Sequence, residues 1–157
     1  MQWLRQLISY AVTLALIIAL VVVVPRFQRL RVDPEYRDIG HLDVDQSLNG
    51  DTGFSFARLA AGDPIAYNLP GPQDTKMLGV GWIAALPGQE VGISNRHVVV
   101  DGRPAKGGTL TSAVPDRPAV PVPSGHVFVV TDGHEVDSLT YGFIPAAAIR
   151  AKLANLP

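Results

Sequence analysis

Gly81-Trp-Ile-Ala-Ala-Leu-Pro-Gly-Gln-Glu-Val91 and Val122-Pro-Ser-Gly-His-Val-Phe-Val-Val-Thr-Asp132 are two apolar runs, each joined to a Pro and Gly turn. In the first, Leu86-Pro87-Gly88 reads as a strand closed by a type II turn. Proline presets φ at the second turn position, and glycine takes the positive φ the third requires. In the second, the turn comes first and feeds a β-branched run with the profile of a buried strand. Two such units in one short chain point to a β-rich domain.

The same pattern extends outward. Pro64–Asn68, Val80–Leu86, Glu90–Ser94, His97–Val100 and Val127–Thr131 read as strands from their β-branched content and turn boundaries. Asp101-Gly102, directly after His97–Val100, is a tight hairpin signal. Ala105–Pro123 is rich in proline and poor in large apolar residues, and reads as an exposed loop. Pro145–Leu156 opens with proline and continues through Ala, Ile, Arg, Lys and Leu, which predicts a short C-terminal helix. The expected β domain covers residues 54–157.

Ahead of it the composition changes. Leu7–Val24 is 18 residues without a charge. As a helix it covers about 27 Å, enough to cross a hydrocarbon core with little tilt. Trp3, Pro25 and Arg26 supply interfacial punctuation. A cleaved signal peptide has a shorter apolar region ending in small residues, whereas this run ends Val-Val-Val-Val-Pro-Arg. Residues 1–25 are therefore expected to be a retained transmembrane anchor and 26–53 a polar juxtamembrane connector. Arg5 precedes the span while Arg26, Arg29 and Arg31 follow it, a bias that taken alone favours a cytoplasmic domain.

Composition removes several classes. The chain of 157 residues has no cysteine, which excludes disulfide scaffolds, thiolate metal sites and cysteine nucleophiles. A net charge of −1 excludes a large nucleic-acid footprint. Asp43-Val-Asp45-Gln-Ser-Leu-Asn-Gly-Asp51 superficially matches a calcium loop, but Leu48 and Phe54 stand where that loop needs Gly and Glu. It reads as a solvated acidic segment, and neither metal nor cofactor is expected.

Gly62-Asp63, the Leu86-Pro87-Gly88 unit, Gly125-His126-Val-Phe-Val-Val-Thr-Asp132, Asp137-Ser138 and Tyr141-Gly-Phe-Ile-Pro145 occur in that order after the apolar span. Together they resemble the signal peptidase I family of serine peptidases (S26), including the branch that matures conjugative pilin-type substrates. The resemblance covers about Gly62 to Pro145. It implies a single-pass protein of the bacterial cytoplasmic membrane, with a mainly β, signal-peptidase-like domain on the extracytoplasmic side. The arginine bias opposes that orientation; we follow the resemblance, because long domains translocate largely regardless of charge.

The resemblance also implies a serine nucleophile and a lysine base five residues before the Leu of Leu-Pro-Gly. An ammonium has no lone pair, so that lysine serves only where its pKa is brought down. The position is Gly81, followed by Trp82, and neither accepts a proton. The absent side chain is expected to leave room in the former cleft. Ser47 and Ser55 are the candidate nucleophiles, though no proline follows either within the expected few residues. Lys76 is the nearest lysine, some 15 Å from position 81 along an extended strand. Lys106 and Lys152 read as surface charges, and His97, His126 and His134 as structural. Asp137-Ser138 is retained, but Leu139 replaces the arginine expected to pair with Asp137.

Two functional expectations follow. The first is an inactive relative serving as a binding module or accessory subunit of a membrane, secretion or pilus assembly. Its partners would be the bilayer and integral-membrane or secreted proteins, with an extended peptide as one form of ligand. The second is an active endopeptidase using a displaced dyad, Ser47 or Ser55 with Lys76, on signal peptides or pilin precursors. Either way, the chain from about Val32 onward is expected to fold without the anchor. Its circular dichroism should be dominated by β structure; a helix-dominated spectrum contradicts this reading.

Overall fold

The computed structural model describes residues 2–23, 27–31, 47–70, 76–109, 114–131 and 137–154. Two α-helices, α1 (Gln2–Val23) and α2 (Ser138–Tyr141), accompany the strands. These are β1 (Phe27–Arg31), β2 (Ser47–Asp51), β3 (Pro64–Pro70), β4 (Lys76–Ala85), β5 (Glu90–Ser94), β6 (His97–Val100), β7 (Arg103–Thr109), β8 (Arg117–Pro121), β9 (His126–Val130), β10 (Ile144–Pro145) and β11 (Ile149–Leu153). The protein is mainly β.

The strands form two antiparallel sheets. The larger has the order β1-β2-β11-β3-β4-β9-β10 and the smaller β7-β6-β5-β8. Each has its own core. Ile65, Tyr67, Val80, Ile83, Val127 and Val129 close the first, and Val91, Ile93, Val98, Phe128 and Val130 the second. β9 serves both. Its burial is nearly complete (Val127, Val129 and Val130 are 0% exposed), as its unbroken β-branched run requires of a strand covered on two faces.

Three type II turns position β3, β5 and β9. They place Gly62, Gly88 and Gly125 at φ of 87°, 84° and 72°, conformations that glycine adopts without a Cβ penalty. Asp63 N donates to Ala60 O, Gln89 N to Leu86 O and His126 N to Pro123 O. The Asp101-Gly102 hairpin is as expected, with both residues at positive φ (50° and 76°). Asn95 and Arg96 form a second turn of this kind (49° and 63°) that their composition does not announce.

Two expectations fail. The predicted C-terminal helix is a 3-10 turn, Ala146–Ala148, followed by β11, an interior strand between β2 and β3. Ile149, Ala151 and Leu153 are buried and Arg150 is exposed, so a two-residue period prevails over the helical preference of Ala, Lys and Leu. The predicted Ala105–Pro123 loop contains β8 and most of β7. Both are edge strands, where proline is tolerated because the missing N–H faces outward. Two further strands, β1 and β2, fall within residues 26–53, and β2 buries Leu48 in the first core.

Helix α1 runs for 22 residues, and Ile8, Leu14, Leu16, Ile18 and Val21 all stand more than half exposed. Among the described residues no helix is long and apolar enough to cross a membrane. The side chains of Leu7, Leu20, Val22 and Val23, which belong to the charge-free run, fall outside the described set.

The C-terminal strand gives a direct test. In a strand Ala151 faces the core beside Ile149 and Leu153; in a helix it would face away from them. Ala151→Asp should therefore destabilise the protein by about 3 kcal/mol or more through a buried unpaired charge. Arg150→Asp should stay within about 0.5 kcal/mol, as surface changes do. Urea unfolding of both variants checks this, and equal effects would contradict the strand.

Candidate active site

Position 81 lies in the middle of β4, opposite Ile65 of β3 and one residue from the Trp82–Val130 pair with β9. The expectation of vacant space there is wrong. A Cβ on Gly81 would lie 2.7 Å from Val129 Cγ1, 2.7 Å from Val130 O and 2.9 Å from Thr131 Cγ2. One of these is a backbone carbonyl, which cannot swing aside. The glycine is a packing requirement of the β4–β9 approach, and a lysine stem does not fit without moving a strand.

The neighbouring Gly79 has a similar role. Its Cβ would stand 2.7 Å from Tyr67 Cε2, so the Tyr67 ring lies across the backbone of β4 at its cross-strand partner. Tyr67 is fully buried. Burial, and secondarily the Asp137 carboxylate, hold its phenol far above the ordinary tyrosine pKa, so it stays protonated. Sequence reasoning passed over Tyr67. The available signal was its register opposite a glycine, which appears only once β3 and β4 are paired.

Asp137 and Ser138 are built into the fold. Asp137 is 0% exposed and caps α2: Oδ1 accepts from Leu139 N at 2.9 Å and Oδ2 from Thr131 N at 3.3 Å. These N–H groups meet the carboxylate for which the resemblance implies an arginine partner. Leu139, half-buried, packs against the second core, as does Trp82. Ser138 Oγ accepts from Val129 N at 2.8 Å, tying α2 to β9.

The remaining candidates are dispersed. Ser55 is exposed at the start of the Phe56–Arg58 3-10 turn and makes no side-chain capping bond. Ser47 lies in β2 and Lys76 opens β4; the side chains of both fall outside the described set. β4 is continuous from Lys76 to Ala85, so the backbone does not fold back and positions 76 and 81 are separated by about 16 Å of strand. Lys152, read as a helical surface charge, is on β11 and pairs with Asp63 at 2.6 Å. Asp63 Oδ2 also accepts from Ala60 N at 2.8 Å, locking the Gly62-Asp63 turn. Lys106 lies in β7 with its side chain undescribed, and His134 and residues 43–46 fall outside the described residues altogether. His97 is half-buried in β6, and His126 Nδ1 is 3.0 Å from Ser124 O. Among the described residues no group of three or more His, Asp or Glu is placed to hold a metal.

Gln89, at the position after Leu-Pro-Gly where the resemblance implies an acid, has a clear purpose. Its Oε1 accepts from Leu86 N at 2.9 Å and its Nε2 donates to Asp101 Oδ2 at 2.7 Å. A carboxylate there would face the Asp101 carboxylate. Glu90 N also donates to Asp101, and these two bonds lower the Asp101 pKa below its ordinary value. Their contribution to stability is present above the ordinary aspartate pKa and lost as pH falls through the depressed one.

The family model described as "Signal peptidase, peptidase S26" matches residues 2–155, and the chain belongs to that family. Among solved structures, it is similar to a signal peptidase I from Enterococcus faecalis V583. That likeness has 20% identity and a TM-score of 0.47, and covers 61% of this chain and 97% of that one. No curated protein matches.

If Gly81 is a packing residue, Gly81→Ala should cost about 1–3 kcal/mol, the range for overpacking a close contact. Chemical denaturation measures this directly. A neutral or stabilising substitution would show that the site has room after all.

Proposed function

We propose that this chain is a membrane-anchored S26 family member without peptidase activity, which acts as a binding module or accessory subunit of a membrane, secretion or pilus assembly. The observation that carries this reading is the closed surroundings of Gly81. The position implied for the base has no side chain and no space for one, and the Tyr67 ring crosses the same strand two residues away. A serine hydroxyl at its ordinary pKa is a weak nucleophile without an adjacent base. Lys152 is engaged by Asp63, and Lys76 is far along β4.

The anchor is part of the proposal. The charge-free run Leu7–Val24 of the sequence, long enough as a helix to cross a hydrocarbon core, is what supports a single membrane crossing. The family supports a domain on the extracytoplasmic face. There the β domain would engage a secreted or integral-membrane partner, in keeping with a fold whose relatives handle extended chains.

Full-length protein in lipid should leave signal-peptide and pilin-precursor substrates uncut across the pH range in which it stays folded. Gly81→Lys should not create activity, because residues that act as a unit do not contribute additively. Ser47→Ala, Ser55→Ala and Lys76→Ala should leave the cellular phenotype of the intact gene unchanged. Cleavage by the wild-type protein that either serine substitution or Lys76→Ala abolishes would replace this reading with the displaced-dyad peptidase.

A further inference from the structure

On the other side of β9 from the Gly81 contact, β5, β8 and α2 line a half-open cavity of about 330 Å³. Val91, Ile93, Val120, Phe128, Leu139 and Phe143 form its apolar wall. Phe128 and Phe143 meet edge to face at 6.0 Å, which holds that part of the wall in one shape. Leu139 belongs to this wall. A side chain that looks like a lost ion-pair partner in the sequence is, in the fold, what makes the chamber apolar.

The cavity has a charged element. Arg117, an exposed residue of β8, stands at its solvent-facing rim, and among the described residues it has no ion pair. The adjacent Asp116 is committed elsewhere, accepting from Asn95 N at 3.0 Å. Ser138, also in the lining, already accepts from Val129 N. The cavity thus combines an apolar wall with one cation that makes no ion pair among the described residues, a pairing suited to a ligand with an aliphatic or aromatic body and one carboxylate. Its volume is at the small end for ligand pockets and suits a small ligand. Addition of a peptide strand to the outer edge of β8 is disfavoured, because Pro118 and Pro121 remove backbone donors from that strand.

We propose that this cavity binds a free medium-chain apolar carboxylate, with the chain against Phe128, Leu139 and Phe143 and the carboxylate on Arg117. The proposal is independent of whether the chain cleaves peptides, since it uses none of the residues implied for that reaction except Ser138 and Leu139 in the wall.

The test is calorimetric titration of the full chain in lipid nanodiscs, with empty nanodiscs as reference. The probes are octanoate, octanamide and a short peptide with a free C-terminal leucine. Octanoate should bind at least tenfold more tightly than octanamide, and Arg117→Gln should remove that preference while leaving octanamide binding in place. Leu139→Trp fills the cavity without adding charge and should abolish both. Val120→Trp, at an exposed position of the lining, should do the same and serves if Leu139→Trp does not fold. The proposal is overturned by equal binding of octanoate and octanamide, by a preference that survives Arg117→Gln, by octanoate binding that survives both filling variants, or by binding of the peptide alone.

Discussion

Close approach of β4 to β9 is the constraint on which the rest of the domain depends. The two strands lie near enough that Val130 O occupies the place a Cβ on residue 81 would need. Only glycine permits this, and the strand positions that follow from it set both cores. β9 turns Val127 and Val129 to the first core and Phe128 and Val130 to the second by the two-residue period of a strand, and its pairing with β4 sets where those faces lie. Gly79 repeats the device toward β3, where the space is taken by the Tyr67 ring. A position implied by family resemblance to carry a catalytic amine is thus part of the packing of the sheet.

Other polar groups in the motifs that carry the resemblance have comparable structural duties. Asp137 satisfies backbone donors at α2 and at the end of β9, Ser138 fastens α2 to β9, and Asp63 clamps a turn with Lys152. Each bond is buried or half-buried, where leaving a partner unsatisfied costs about 1–3 kcal/mol. These residues would be retained for folding alone, so their survival is no sign of hydrolysis. The replacement of arginine by Leu139 then reads as a change of surroundings, with the carboxylate met by N–H groups and the freed wall made apolar.

Much of this fold was legible in the residues. Strands β5 and β6 were readable to the residue, because Gly, Pro and Asp-Gly punctuation brackets short β-branched runs. The Pro and Gly turns were equally plain, since each glycine stands where positive φ is obligatory. β11 was misread because its residues have helical propensity and its five positions are too few for the period of two to stand out. β7 and β8 were hidden by prolines that an edge strand tolerates. At the site, the residue types at 81, 137 and 139 were visible but the space around them was not. Whether a missing side chain leaves a vacancy or a contact depends on the distance to the neighbouring strand. Tyr67 escaped for the same reason: its role exists only across the β3–β4 register.

The central claim is that no serine in this chain is activated for attack on a carbonyl. Intact-mass analysis of the full-length protein, in lipid and incubated with a serine-directed acylating or phosphonylating reagent, tests this most directly. Unmodified protein is expected, or slow labelling equal to that of exposed serines in general and unchanged by Lys76→Ala. Rapid, stoichiometric labelling of Ser47 or Ser55 that Lys76→Ala abolishes would contradict it.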